Sequence, residues 1–356
     1  MANISDVDKN FKIETAIQKS DIRFLDARSA PFSLHGVFYE DGKFRRMPRE
    51  VAITVNDGVS LLHANTAGGR LRFKTNSSYV AISAKMPVIG RMPHFTVCGS
   101  AGFDLYEKDR YKGSFLPSFR MDGGYESVID FPDSKWREIT INFPLYSDVS
   151  ELYIGLSERA ELAEPTPYKV EKPIVYYGSS ITQGGCASRP GNAYESMLSR
   201  MLNADYINLG FSGSARGERA ISEYIQTLNT SVFVYDYDHN APNVEFLEKT
   251  HERFFLRIRE KCPDLPILML SKPDRFGLKD DEEARCEVIK TTYENALKRG
   301  DKNVYFIDGK TFFGVKDRYA CTVDTLHPND LGAYRMAMVI EPVIEKILKE
   351  KYPEIK

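Results

Sequence analysis

The segment IVYYGSSITQG, residues 174–184, indicates the fold of the second half of the chain. Its apolar beginning, 174–177, is typical of a parallel β-strand that is buried on both faces. A turn at Gly178 follows, and a helical pattern begins near Asn192. Ser180 is therefore expected just beyond the carboxyl end of a strand, where open α/β sheets place their ligand crevice.

Strand-like apolar runs alternate with helical patterns throughout residues 169–356. The runs are 174–177, 206–209, 232–235, 267–270 and 304–307, and the helical patterns lie near 193–203, 217–228, 244–261, 282–299 and 330–350. This alternation predicts an α/β domain, a doubly wound parallel sheet of the flavodoxin-like kind with helices on both faces. Ser180, Gly210, Asn240 and His327 would all lie at the carboxyl edge of that sheet.

The first half of the chain follows a different pattern, in which apolar residues alternate with a period of two. Residues 71–75, 80–86, 139–143 and 152–156 show this alternation, and turn signals lie at 41–42, 56–58 and 122–124. Short strands at regular spacing predict an antiparallel sandwich or jelly roll without a long helix. The proline-bearing stretch 164–167 marks the expected join, with an all-β domain at 1–168 and the α/β domain at 169–356.

Length and charge exclude several classes of partner. A chain of 356 residues suggests two domains, and a net charge of −2 argues against nucleic acid or an anionic membrane as a partner. No apolar run reaches the roughly 18 residues of a membrane helix, and residues 1–8 lack the features of a signal peptide. The oligomeric state stays open, a homo-oligomer included.

The cysteines and histidines give no sign of a disulfide framework or a metal site. The five cysteines are scattered and form no Cys-x-x-Cys pair, which favours reduced thiols and a cytoplasmic location. The six histidines show no ligand spacing, so neither a metal nor another cofactor is expected.

Asp324-Thr325-Leu326-His327 supplies the chemistry that Ser180 needs as a nucleophile. A serine hydroxyl needs a base to take its proton, and the base needs a carboxylate that orients it. Because Asp324 precedes His327 by three residues, one loop can bring the carboxylate to the far ring nitrogen.

The second half of the chain resembles the SGNH, or GDSL-type, hydrolases, a family of serine esterases. Its four sequence blocks match, in order, Gly178-Ser179-Ser180, Asn208-Leu209-Gly210-Phe211-Ser212-Gly213, Asp238-His239-Asn240-Ala241 and Asp324-Thr325-Leu326-His327. The resemblance implies Ser180, His327 and Asp324 as the catalytic triad. It also implies an oxyanion hole formed by the N–H groups of Ser180 and Gly210 and the side-chain amide of Asn240. The chain departs from the family in having Ser179 where aspartate is usual, and in lacking the usual glycine and trailing aspartate of the asparagine block.

The string Gly102-Phe103-Asp104-Leu105-Tyr106 in the first half looks like the signature of a β-domain that is fused to a subset of these hydrolases. The longer string at 180–191 is also similar to that subset. Comparable two-domain members are carbohydrate esterases, so the resemblance implies a small acylated substrate, in particular an acetylated oligosaccharide.

Two other functions remain open at this point. A lipid or thioester acylhydrolase would use the same triad, and a non-catalytic carbohydrate-binding protein would keep the β-domain and lose the chemistry. Four residues have two interpretations each. Cys186 is a thiol nucleophile or a small buried residue, His239 contacts substrate or caps its loop, and Arg189 faces the pocket or forms a salt bridge. Trp136, the one tryptophan, is expected in the core rather than on a sugar platform.

Overall fold

The computed structural model describes residues 17–117, 121–274 and 281–353. Residues 1–8, on which the expectation about a signal peptide rests, lie outside this range. Strands and short helices alternate up to residue 163: β1 (Ile22–Asp26), β2 (Ser33–His35), β3 (Phe38–Glu40), β4 (Lys43–Arg45), α1 (Arg49–Ala52), α2 (Asp57–Leu62), β5 (Arg70–Thr75), β6 (Tyr79–Lys85), α3 (Val97–Ala101), β7 (Phe103–Glu107), β8 (Arg110–Phe115), β9 (Gly124–Asp130), β10 (Arg137–Asn142), β11 (Glu151–Ser157) and β12 (Leu162–Ala163).

Longer helices alternate with parallel strands in the remainder of the chain: β13 (Val170–Gly178), α4 (Tyr194–Leu202), β14 (Ala204–Gly210), α5 (Arg219–Ile225), β15 (Val232–Asp236), α6 (Val244–Lys261), β16 (Ile267–Leu270), α7 (Glu282–Lys298), β17 (Val304–Ile307) and α8 (Asp330–Lys351). None of the helices in the described part of the chain is long and apolar enough to cross a membrane.

The chain divides into two compact units, and each draws on segments that are distant in sequence. The first unit contains the chain up to Arg46, then Ala64–Pro167 and Arg189–Gly191. The second contains Met47–His63, Tyr168–Ser188 and the chain from Asn192 onward.

The first unit is an antiparallel sandwich of two sheets, as its period-two pattern predicts. One sheet has the order β1-β11-β6-β9, and the other has the order β12-β5-β10-β7-β8 with β2 paired to β5. Apolar side chains from both sheets form one buried cluster, which includes Val80 and Ile154 from the first and Phe73 and Ile139 from the second. Strand β10 shows the physical basis of the pattern, because Ile139 and Ile141 are fully buried while Glu138 and Thr140, which alternate with them, are partly exposed.

The second unit is the predicted parallel sheet, with the order β14-β13-β15-β16-β17. Alternate residues of β13 pack on opposite faces. Tyr176 lies in the cluster with α4 and α8, and Tyr177 lies in the cluster with α5 and α6. Because β14 and β15 flank β13 on opposite sides, the strand order reverses at the end of β13, and the ligand crevice of such sheets lies at that point.

Helices α1 and α2 belong to the second unit, although more than a hundred residues separate them from its next segment, which begins at Tyr168. Met47, Ala52 and Val59 are fully buried and join the cluster formed by β13, β15 and α6. The sequence pattern did not predict these short helices.

Candidate active site

The turn that carries Ser180 begins where β13 ends. The hydroxyl of Ser179 accepts a hydrogen bond from the Ile181 N–H at 3.1 Å, and the Ser180 carbonyl accepts one from the Gly185 N–H at 2.8 Å. Position 178 must be glycine, because a Cβ there would lie 2.2 Å from Oδ1 of Asp236. The turn is therefore fixed by its own backbone and by the neighbouring strand.

Ser180, His327 and Asp324 contact one another in the predicted order. Oγ of Ser180 lies 2.8 Å from Nε2 of His327, and Nδ1 of His327 lies 2.7 Å from Oδ2 of Asp324. Oδ1 of Asp324 also accepts the His327 N–H at 2.7 Å. The three side chains form a continuous relay from the hydroxyl to the carboxylate.

The protonation of this relay follows from the environment of Asp324. Partial burial alone would raise the pKa of this carboxyl, but hydrogen bonds from His327 and from the Leu326 N–H hold its pKa below the ordinary value. An ionised carboxylate can only accept, so Nδ1 of His327 carries the proton. Nε2 of the neutral imidazole is then an acceptor for the Ser180 hydroxyl, which is the arrangement that removal of the serine proton requires.

The glycine block holds the serine turn rather than offering the N–H that the sequence analysis assigned to it. The Gly210 N–H donates to Oδ1 of Asn208 at 2.9 Å, and Nδ2 of Asn208 donates to the Thr182 carbonyl at 2.6 Å. A Cβ on Gly210 would lie 2.2 Å from the Gln183 nitrogen. The assignment of Gly210 as an oxyanion donor is therefore corrected to a packing role, since its N–H already has a close acceptor.

Gly213, later in the same block, has a backbone N–H that the sequence analysis did not consider. It lies on the loop after β14 with φ of 66°, in the left-handed region that favours glycine. Its N–H donates no hydrogen bond to another described residue. The matched sequence block contains Gly213 as well as Gly210. The sequence therefore offered both glycines as candidate donors, and the structure distinguishes them.

Asn240 lies at the end of a short 3₁₀ turn, Asp238–Asn240, that follows β15. One hydrogen of its amide is donated to the Phe211 carbonyl at 3.2 Å, and the amide nitrogen carries a second hydrogen for another acceptor. Arg285 fixes the turn, because Nη1 donates to the carbonyls of Asp238 at 2.6 Å and of Ala241 at 2.8 Å.

Asp236, the last residue of β15, contacts the serine turn and was not predicted from the sequence. Its Oδ1 accepts the Thr182 hydroxyl at 2.7 Å and the Ser179 N–H at 3.4 Å. Burial raises the pKa of this carboxyl to about 7, although the nearby His239 opposes the shift. Asp236 thus supplies a carboxyl to the turn in which Ser179 replaces the usual aspartate.

The structure decides the alternatives for Cys186, Arg189 and Trp136. The Cys186 thiol is buried, and burial raises its pKa to about 12, which makes it a poor nucleophile. Arg189 forms a salt bridge to Asp104 at 3.1 Å within the first unit. Trp136 is 50% exposed, so the expectation that it belongs to the core is wrong.

Asp104 also explains the Gly-x-Asp-Leu-Tyr string in physical terms. It is fully buried, and its oxygens accept hydrogen bonds from Nδ2 of Asn142 at 2.7 Å and from the Gly191 N–H at 2.8 Å. A buried carboxylate is tolerated when it is paired and hydrogen-bonded in this way. The string therefore anchors segment 189–191 in the first unit.

Comparisons with known proteins agree with this architecture. The GDSL-like lipase/acylhydrolase family matches residues 171–345, and the N-terminal domain of SGNH hydrolase-type esterases matches residues 22–162. No curated protein sequence matches the chain.

Several solved structures are similar over almost their whole length. One from Bacteroides ovatus ATCC 8483, described as a GDSL-like lipase, is 31% identical with a TM-score of 0.83, and the match covers 92% of this chain and 98% of that one. The salicylyl-acyltransferase SsfX3 of a tetracycline biosynthetic pathway is 20% identical with a TM-score of 0.77, covering 93% and 98%. A family two carbohydrate esterase from Clostridium thermocellum, in complex with cellohexaose, is 15% identical with a TM-score of 0.61, covering 90% and 98%. The chain therefore belongs to the SGNH, or GDSL-like, lipase/acylhydrolase family and carries the N-terminal β-domain of its SGNH hydrolase-type esterases.

Proposed function

We propose that the protein is a carbohydrate O-acetyl esterase in which Ser180 is the nucleophile, His327 the base and Asp324 the orienting carboxylate. The observation that carries the proposal is the unbroken series of contacts from Oγ of Ser180 through the His327 ring to Asp324, at 2.8 Å and 2.7 Å. Such a relay is the arrangement that acyl transfer through a serine requires.

The reaction takes place in two halves. His327 accepts the Ser180 proton as Oγ attacks the acyl carbonyl, and then returns that proton to the departing alcohol. An acetyl-serine remains, and water attacks it with His327 again as the base. The proton that His327 takes from this water goes back to Oγ of Ser180 as acetate leaves.

Each tetrahedral intermediate carries a negative oxygen that needs preorganised donors. We assign this task to the Ser180 N–H, the second amide hydrogen of Asn240 and the Gly213 N–H in place of that of Gly210. A hydrogen bond joins the loops that carry Asn240 and Gly213, because the Asn240 amide donates to the carbonyl of Phe211, two residues before Gly213.

The proposal that the substrate is a carbohydrate acetate rests on structural similarity to other esterases, and it is tested separately. It is supported by the fold, which the chain shares with family two carbohydrate esterases and with an acetyl xylan esterase from Butyrivibrio proteoclasticus, 13% identical with a TM-score of 0.59. A lipid or thioester acylhydrolase is the rival. Comparing kcat/KM for acetate and octanoate esters separates the two, since a preference for octanoate would remove the acetyl assignment.

Hydrolysis of p-nitrophenyl acetate by the wild type and by Ser180→Ala tests the esterase assignment itself. Loss of the nucleophile should lower kcat by at least about 10³-fold while the protein stays folded. Equal, slow hydrolysis by both proteins would favour the non-catalytic carbohydrate-binding protein instead.

The cytoplasmic location remains part of the proposal. All five cysteines are free thiols in the structure, which is the state that a reducing compartment maintains. Fractionation of the native host followed by immunoblotting decides this point, and recovery outside the cytoplasm would refute it.

A further inference from the structure

A cavity of about 200 Å³ lies in the second unit beside the candidate triad. Thr325 and Leu326, which separate Asp324 from His327 in the chain, form part of its lining. His239, which directly precedes the oxyanion donor Asn240, forms another part. The cavity therefore borders the two loops that carry Asn240 and the Asp324–His327 pair.

The charged groups of the lining are already paired with one another. Nζ of Lys272 forms an ion pair with Glu282, and Nη2 of Arg285 lies 2.8 Å from Oδ2 of Asp281. With Asp238, the lining holds three carboxylates and two cations, so carboxylates are in excess. This balance does not favour an anionic ligand, because both cations are engaged.

Among the polar atoms of the lining, Nε2 of His239 is one that has no hydrogen-bond partner in the described part of the chain. Its Nδ1 lies 2.8 Å from Oδ1 of Asp238, and its side chain is 9% exposed. Burial alone would raise the pKa of Asp238, but hydrogen bonds from His239 and from the Lys272 N–H hold that pKa below the ordinary value. Since the ionised carboxylate can only accept, Nδ1 carries the proton and Nε2 of the neutral ring is an acceptor.

No described residue satisfies this acceptor. Nε2 of His239 is buried and has no hydrogen-bond partner in the described part of the chain. A buried polar atom without a partner is unfavourable, so native proteins rarely keep one without a reason. A substrate hydroxyl is a suitable donor, because it supplies one hydrogen and no charge.

We propose that this cavity is a subsite for the hydroxyl-bearing ring of the alcohol portion of the substrate, and that a ring hydroxyl donates to Nε2 of His239. The proposal rests on the esterase function proposed above. Leu326 and the aliphatic stems of Lys272 and Arg285 suit the apolar face of a sugar ring. The surrounding carboxylates of Asp281 and Glu282 suit its hydroxyl edge.

Binding is measured without turnover in the Ser180→Ala protein, with acetylated xylobiose as the probe and calorimetry as the method. Adding His239→Phe, which keeps a ring but removes the acceptor, should raise Kd about 10-fold. Adding His239→Gln instead should restore part of the affinity, because its amide oxygen can replace Nε2. Equal Kd values for the parent and the His239→Phe protein would overturn the role of His239.

A second variant keeps the test decisive if His239→Phe does not fold. Leu326→Trp fills the cavity from another part of its lining and leaves the Asp238–His239 pair intact. In the same Ser180→Ala background it should also raise Kd for acetylated xylobiose at least about 10-fold. An unchanged Kd here would show that the ring does not occupy the cavity.

Comparing two esters separates this proposal from the esterase function on which it rests. Cyclohexyl acetate has a six-membered ring without hydroxyls, so the wild type should prefer acetylated xylobiose in kcat/KM, and His239→Phe should reduce that preference about 10-fold. An unreduced preference refutes the subsite and leaves the esterase standing. If the wild type hydrolyses neither ester, the esterase function itself has failed.

Discussion

At the scale of single residues, the proposed oxyanion donors are the part of the site that the sequence motifs predict least directly. Gly210 has the family position but not a free N–H, because Asn208 accepts from it at 2.9 Å. Asn240 keeps one amide hydrogen after donating to Phe211. We therefore propose Asn240 and Gly213, rather than Gly210, as the donors that act beside the Ser180 N–H.

Asn240→Ala removes one of the proposed oxyanion donors and should leave substrate binding almost intact. We expect kcat for p-nitrophenyl acetate to fall about 10²–10³-fold, with KM changed only a few-fold. The steady-state constants of the two proteins check this. A change confined to KM would show that Asn240 binds the ground state instead.

Asp236 predicts a dependence of stability on pH. An unfolded aspartate ionises near the ordinary pKa of 3.8, whereas the folded carboxyl has a pKa of about 7. Both states are protonated below pH 3.8, and between the two values only the unfolded state releases its proton. The stabilisation from this carboxyl is thus fully present below pH 3.8 and is lost as pH rises toward 7.

Asp236→Asn keeps an oxygen for Thr182 and Ser179 but cannot ionise. Its free energy of unfolding relative to the wild type should therefore rise between about pH 4.5 and about pH 7.5, by roughly 3 kcal/mol. Urea unfolding followed by circular dichroism at both pH values measures this difference. A constant difference would mean that the folded carboxyl titrates normally.

At the scale of elements, helix α2 shows how an early segment supports the site. Asn56 caps this helix by accepting the Val59 N–H at 2.9 Å. Its Nδ2 also donates to the Ser214 carbonyl at 3.0 Å and to Oε1 of Glu218 at 2.7 Å. The cap thus joins α2 to the loop that contains Gly213.

Asn56→Ala should lower the free energy of unfolding by about 1–3 kcal/mol, because it removes the cap and leaves the Ser214 carbonyl without this donor. Asn56→Ser is the matched control, since it keeps a capping oxygen and loses the bonds to the loop. Urea midpoints of the three proteins separate the cap from the tertiary contact. Equal stability of the alanine variant and the wild type would contradict this role.

At the scale of the whole molecule, the sequence predicts what depends on local pattern. The parallel sheet follows from apolar runs such as 174–177, and the sandwich from alternation such as that at Ile139 and Ile141. Ser180, Asp324 and His327 are predicted together because each lies in a short motif whose chemistry requires the others.

Features that depend on contacts distant in sequence were not predicted. Asp236 ends the strand beside the serine strand, and only strand order brings it to the turn. Segment 47–63 has turn signals typical of a β-domain, yet Met47 and Val59 are buried in the core of the second unit. Trp136 is a large aromatic residue of a kind that is usually buried, yet it lies at the surface. In each case tertiary packing overrides the local signal.

The central claim is that Ser180 is a nucleophile activated by His327. Diethyl p-nitrophenyl phosphate reacts with such serines, and peptide mapping by mass spectrometry identifies the modified residue. We predict one diethylphosphoryl group on Ser180, loss of esterase activity in proportion to labelling, and about 10²-fold slower labelling in His327→Ala. An unmodified Ser180, or labelling at an equal rate without His327, would contradict the account.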